Sequence, residues 1–132
     1  MVVDGSALLA VLLRTPDAAR FDAALAAAPV RLISAVTRAE VACAIESRKG
    51  APGRTALERL LREGDFETAA VTPQQADLAA DAFRRFGTGR QSAALTLGDC
   101  FAYALAQIVG LPLLFRDARF RQTDVVAALP GG

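Results

Sequence analysis

Residues 1–14 read MVVDGSALLAVLLR: a short apolar run, then Asp4, Gly5 and Ser6, then a second apolar run long enough for a helix. Taken as a buried strand over "MVV" running straight into a helix, the stretch is half of a βα unit, the building block of parallel sheets. Asp4 then stands at the C-terminal end of the strand, the edge where open parallel sheets place ligands and chemistry. Its ordinary role there is to cap the helix, although Ser6 is equally available as N-cap.

The alternation continues along the chain. "VRLIS" (30–34), "FETAAV" (66–71) and "LPLLF" (111–115) read as further strands, short and apolar throughout, as strands buried on both faces are. Between them lie helical segments. "TPDAARFDAALAAA" (15–28) starts with Thr15 as cap and Pro16 at the first helical position. "AVTRAEVACAIESRKG" (35–50) places Val36, Ala39, Cys43 and Ile45 largely on one side and ends at Gly50. In "TALERLLREG" (55–64), Thr55 and Glu58 have the spacing of a capping box. "TPQQADLAADAFRRFG" (72–87) repeats the Thr-Pro start and stripes Leu78, Ala82 and Phe86. "GTGRQSAALTLG" (87–98) is a loop without the glycines and lysine of a phosphate loop, and "DCFAYALAQIVG" (99–110) is a strongly apolar helix. The tail after residue 115 is irregular, with a short strand at "DVVAAL" (124–129). The expected fold is α/β: a three-layer α/β/α domain with a central, mostly parallel sheet, one domain over residues 1–132.

Composition narrows the chemistry. No apolar run approaches the roughly 20 residues that cross a bilayer, and no signal-like leader is evident, so a soluble, cytoplasmic protein is expected. Cys43 and Cys100 fall in apolar helical patterns and read as reduced core residues. The chain has no histidine, which excludes Ser-His-Asp and Cys-His catalysis, a histidine base and histidine-ligated zinc. A net charge of +1 gives no global pull toward nucleic acid, yet 14 of the 15 basic residues are arginine, whose planar fork recognises phosphate.

The sheet topology sorts the acids. Asp4 ends the first strand, Glu40 lies in the first turns of the helix after the second, Asp99 opens the apolar helix and Asp117 follows the fourth strand. All four belong to one sheet edge. Such a cluster persists when a cation neutralises it, and oxygen-only ligands favour Mg²⁺ or Mn²⁺ over zinc. Without histidine, the natural chemistry is metal-assisted attack of water on a phosphodiester.

These segments resemble a PIN domain, and in detail a VapC-type toxin ribonuclease of a bacterial toxin–antitoxin pair. The resemblance rests on "MVVDGSALLAVLL", "SAVTRAEVACAIESR", "AFRRFGTGRQSAALTLGDCFAYALA" and "GLPLLFRDARFRQTDV", in that order. It implies a Mg²⁺- or Mn²⁺-dependent endoribonuclease acting on RNA, often structured RNA such as tRNA, homodimeric and silenced by a cognate antitoxin. It assigns catalytic roles to Asp4, Glu40, Asp99 and Asp117. The metal falls to Asp4, Asp99 and Asp117, with Asp124 a lesser candidate, and Ser6 orders the site. Arg90, Arg116 and Arg119 are candidate RNA contacts. Two positions depart from the family pattern: Gly5 stands where Thr or Ser is usual, and Arg119 stands where relatives often have an acid before the residue matching Phe120. Those departures motivate a competing expectation, a catalytically weakened PIN-like module that binds RNA or protein. A phosphoacceptor domain is a poorer match, since no paired acids adjoin Asp4 and the only lysine is Lys49.

Overall fold

The computed structural model describes residues 1–87 and 93–130. In chain order they form β1 (Val2–Val3), α1 (Gly5–Leu13), α2 (Ala18–Ala27), β2 (Leu32–Ser34), α3 (Ala35–Glu63), β3 (Glu67–Ala69), α4 (Pro73–Phe86), α5 (Leu97–Val109), β4 (Leu113–Leu114) and a 3-10 helix, Ala118–Gln122. The strands make a sheet in the order β3-β2-β1-β4, every pairing parallel, with Val2 opposite both Leu32 and Leu113 and Val3 opposite Leu114. The α/β/α expectation holds.

Strand pleating divides the core. Val2, Leu32 and Leu113 face α4 and α5, while Val3, Ile33 and Leu114 face α1, α2 and α3. Successive residues point to opposite faces, so a two-residue strand serves both layers, which is why these strands are apolar without alternation. The strand order reverses at β1, so the crevice beyond the C-terminal ends of β1 and β4 is the topological switch point. Asp4 and Asp117 flank it, each just past one of those strands.

Several local expectations need correction. Helix α1 begins at Gly5 and its N-cap is Asp4, whose carboxylate accepts from the Ser6 backbone; Ser6 is inside the helix. Helix α2 begins at Ala18, because the Thr15 hydroxyl is spent on the Asp17 carboxylate at 2.7 Å and Thr15-Pro16-Asp17 forms a turn. The two helices expected at 35–50 and 55–64 abut as one element bent at Gly50, which adopts φ 63°, ψ −147°. That backbone suits glycine, and Pro52 starts the second piece ahead of Thr55, leaving Thr55 in mid-helix with no box to make. The buried stripe of α3 is Thr37, Val41 and Ile45, so Ala39 and Cys43 face outward and Cys43 is exposed, not a core residue. In α4, Thr72 caps as expected, accepting from Gln75, and the buried residues are Gln75, Ala79 and Ala82, with Leu78 and Phe86 half-buried. The tail contributes one parallel bridge, Leu113 to Ala127. Among the described residues no helix is long and apolar enough to cross a membrane.

Candidate functional site

The switch-point crevice is a cleft of about 360 Å³ lined by Asp4, Ser6, Glu40, Thr96, Asp99, Asp117 and Arg119, with Gly5, Leu9, Val41 and Ala44 forming its apolar wall. Four elements meet there. Asp4 comes from the β1–α1 junction, Glu40 from the second turn of α3, Asp99 from the first turn of α5 and Asp117 from the cap of the 3-10 helix.

Capping and site-building are one geometry. Asp4 is 5 % exposed, and its carboxylate takes two bonds on Oδ2, from the Ser6 backbone at 2.9 Å and the Ser6 hydroxyl at 2.6 Å. The same Ser6 Oγ accepts from the backbone N–H groups of Arg116 at 2.9 Å and Asp117 at 3.1 Å. One hydroxyl thereby ties the loop after β4 to the acid after β1. Asp99 completes a capping box in which its Oδ2 accepts from the Thr96 backbone at 2.9 Å and its own N–H donates to Thr96 Oγ1 at 3.3 Å. Asp117 Oδ1 accepts from the Arg119 backbone at 3.0 Å. A cap fixes a carboxylate's rotamer, and each of these caps leaves the acid on the cleft wall.

Arg119 is the counter-charge. Its guanidinium donates to Asp117 Oδ2 through Nε at 2.9 Å and again through Nη2, lies 3.2 Å from Asp99 Oδ2, and reaches the Ala94 carbonyl at 3.4 Å. Burial pushes the Asp117 carboxyl up, but the Arg119 side chain, backbone N–H and charge outweigh it and hold the group below the ordinary aspartate value. Asp4 goes the other way. Burial pushes it up to about 6 against the two Ser6 hydrogen bonds, with the Asp99 and Asp117 charges adding to the rise. Glu40 is also raised, by burial and then by Asp99.

These directions give a stability prediction for EDTA-treated protein. An unfolded aspartate ionises near 4, so between about 4 and 6 the unfolded chain releases the Asp4 proton while the folded chain holds it. Folding therefore loses stability as pH rises through that window, by about 3 kcal/mol in all. Asp17, Asp117 and Asp124, all lowered, act in the opposite sense below pH 4. The melting temperature of wild type relative to Asp4→Asn is expected to fall as pH rises from about 4 to 7; a pH-independent difference contradicts the burial-raised Asp4 carboxyl.

The other predicted residues lie elsewhere. Asp124 does not line the cleft: it accepts from the Tyr103 hydroxyl at 2.6 Å and pairs with Arg85 at 3.4 Å, clamping the tail onto α4 and α5. The Arg116 guanidinium is directed to Asp17, at 3.0 and 2.9 Å from its two oxygens, while its backbone serves Ser6. Arg90 lies outside the described residues. Gly5 is the first residue of α1, where an added Cβ would lie 3.1 Å from Val41 Cγ2 and 3.6 Å from Thr37 Cγ2. It allows α1 to sit close on α3, which carries Glu40. Thr96 and Gly98 escaped the sequence reading, although "TLGD" has the side-chain order of a cap.

The donors suit a hard divalent cation: four carboxylates line the cleft, with Asp4 buried near the charges of Asp99 and Asp117 and a guanidinium standing on two of them. Among the described residues, no three acid or thiol groups stand close enough together to form a ready ligand set. The donor chemistry fits such a cation, and the positive charge present beside Asp99 and Asp117 is the Arg119 guanidinium.

Comparison with known proteins gives a concordant picture. The PIN domain pattern matches residues 1–126. A protein named Ribonuclease VapC from Mycolicibacterium smegmatis is 48% identical over 127 residues, 96% of this chain and 98% of that protein. Ribonuclease VapC30 from Mycobacterium tuberculosis is 47% identical over 131 residues, 98% of this chain and all of that protein. Among solved structures, Mycobacterium tuberculosis VapC20, described as a sarcin-ricin loop cleaving toxin, superposes with a TM-score of 0.79 at 17% identity, covering 95% of each chain. A toxin–antitoxin complex from Klebsiella pneumoniae gives 0.69 at 21%, covering 97% of each.

Proposed function

We infer that this chain, which belongs to the PIN-domain family and resembles its VapC ribonucleases over nearly its whole length, is a divalent-metal-dependent endoribonuclease acting at the Asp4 cleft. The observation that carries the site is the convergence of Asp4, Glu40, Asp99 and Asp117 on one cleft in a chain without histidine. Mg²⁺ or Mn²⁺ is the cation the oxygen donors favour. When bound, it supplies activation of water and stabilisation of charge at the scissile phosphodiester.

The chain's own residues do the rest. Asp4, Asp99 and Asp117 would hold the cation, each in a rotamer fixed by its capping hydrogen bond. Ser6 keeps Asp4 and Asp117 in register through three hydrogen bonds on one oxygen. Asp124 serves the fold, leaving Asp117 as the fourth acid. Arg119 pairs with Asp99 and Asp117 here, so it would compete with a cation for those acids, and its guanidinium could serve an RNA phosphate instead. The substrate is RNA, structured RNA such as tRNA included, and an antitoxin that silences the site and a homodimeric assembly complete the proposal. Purified protein is expected to cut RNA with added Mg²⁺ or Mn²⁺ and to stop in EDTA; cutting that persists in EDTA contradicts the assignment.

The ion pairs of Arg119 favour one second reading, a weakened module in which arginine permanently replaces the metal. Arg119→Gln separates the two. As a nuclease, the variant keeps or gains divalent-metal affinity, because a competitor is gone. It also loses more melting temperature than wild type in EDTA, because the acids repel unscreened. Wild type that binds RNA but no divalent metal, and a variant that gains metal binding only on losing the arginine, supports the module.

A further inference from the structure

Gly98 occupies the second position of α5, between the exposed Leu97 and Asp99, and is itself buried. Nothing in its backbone requires glycine, since the described glycines with positive φ are Gly50 and Gly110. Glycine is also the poorest helix former after proline, so its use in a first turn calls for another cause. The cause is steric. A Cβ at position 98 would overlap both carboxylate oxygens and Cδ of Glu40. Glu40 thus lies in the space a side chain would fill, over the N-terminal turn of α5, where exposed N–H dipoles favour a carboxylate. It is near enough for Asp99 to raise its pKa.

We propose that Gly98 is a positioning residue: by lacking a side chain it seats the Glu40 carboxylate against the start of α5 and brings it into the acid cluster with Asp99. The proposal rests on the nuclease reading above, and it concerns how one acid from α3 is delivered to a site otherwise built from β1, α5 and the loop after β4. Glu40 is on an exposed turn of α3, and its carboxylate ends a chain of rotatable side-chain bonds that can take another rotamer. A methyl group at 98 therefore displaces the carboxylate without unfolding the helix, which separates loss of the site from loss of the fold.

The test is a double-mutant cycle over wild type, Gly98→Ala, Glu40→Ala and the double variant. Mn²⁺ affinity is read by electron paramagnetic resonance of free Mn²⁺, with thermal melting beside it. Gly98→Ala is expected to melt no lower than wild type in EDTA and to weaken Mn²⁺ binding by the same factor as Glu40→Ala, roughly tenfold or more. In the Glu40→Ala background, Gly98→Ala has no further effect on Mn²⁺ binding. In metal-free protein, the Glu40 side-chain carboxyl ¹³C resonance of Gly98→Ala moves from its wild-type position. Unchanged Mn²⁺ affinity and an unmoved resonance in Gly98→Ala, or an equal loss of affinity in both backgrounds, overturns the role of Gly98 while leaving the nuclease reading intact. Wild type that binds no Mn²⁺ strikes the nuclease reading instead, and the resonance then still decides whether Gly98 seats Glu40.

Discussion

Asp4→Asn is expected to lower RNA cleavage by about a thousandfold or more while the protein stays folded. Partners one step removed from a metal typically cost 10–100-fold, and Asp4 is a direct ligand in this account, so the loss should exceed that range. The substitution keeps size and the capping acceptor, so the Ser6 hydrogen bonds that start α1 have somewhere to go. It also removes a buried charge whose pKa is already pushed up to about 6, so metal-free Asp4→Asn should melt above metal-free wild type near pH 7.5. Activity lost and stability gained is the signature of a functional carboxylate held at a cost to the fold. Asp99→Asn should match it in activity. Asp124→Asn should retain most cleavage, because that carboxylate is engaged with Tyr103 and Arg85 away from the cleft. Equal losses in Asp4→Asn and Asp124→Asn would put the site in the wrong place.

Phe120→Ala is expected to cost about 3–5 kcal/mol, the usual penalty for emptying a buried aromatic site. Phe120 is 1 % exposed and packs on Phe115 with ring centroids 5.3 Å apart. Total stability of a domain is commonly 5–15 kcal/mol, so the melting temperature should drop by roughly 10–20 °C. The effect reaches the site, because Phe120 anchors the 3-10 helix that Asp117 caps and on which Arg119 rides. Cleavage assayed well below the lowered melting point should still fall, through loss of Asp117 placement. Phe120→Leu, which keeps most of the volume, should recover both. Full activity in folded Phe120→Ala would show that Asp117 is placed without this anchor.

The fold was legible because periodicity and order survive in one dimension. Short apolar runs without alternation announced β1, β2 and β4, while β3 is an edge strand with Glu67 exposed and Thr68 and Ala69 half-buried; Thr72-Pro73 announced α4. What failed was local competition for the same atoms. Ser6 and Asp4 could both cap α1, and the choice fell to Asp4 because the Ser6 hydroxyl is used three ways, two of them by a loop 110 residues distant. Thr55 carried the letters of a capping box, but Gly50 and Pro52 had already begun the helix.

The site was legible in its acids for the same topological reason and illegible in its spacing. Asp4 and Asp117 are N-caps, and Asp99 is the third-position partner in the capping box headed by Thr96. Capping and a place in the site are not alternatives, since the cap is what aims the carboxylate. Glu40 could be placed near the edge by its position in α3, but its contact with Gly98 joins residues from two elements that no local pattern connects. Arg119 was a letter out of family pattern, and its meaning came only from the two carboxylates it bridges.

The central claim is that these acids hold a divalent cation that the RNA-cutting step requires. It is tested most directly by titrating Mn²⁺ into EDTA-cleared protein while measuring bound Mn²⁺ and RNA cleavage in the same samples, wild type beside Asp4→Asn. The predicted result is that cleavage and bound Mn²⁺ rise together in wild type with one half-saturation point, and that both are lost in Asp4→Asn. Cleavage at full rate before any Mn²⁺ is bound, or unchanged in Asp4→Asn, contradicts it.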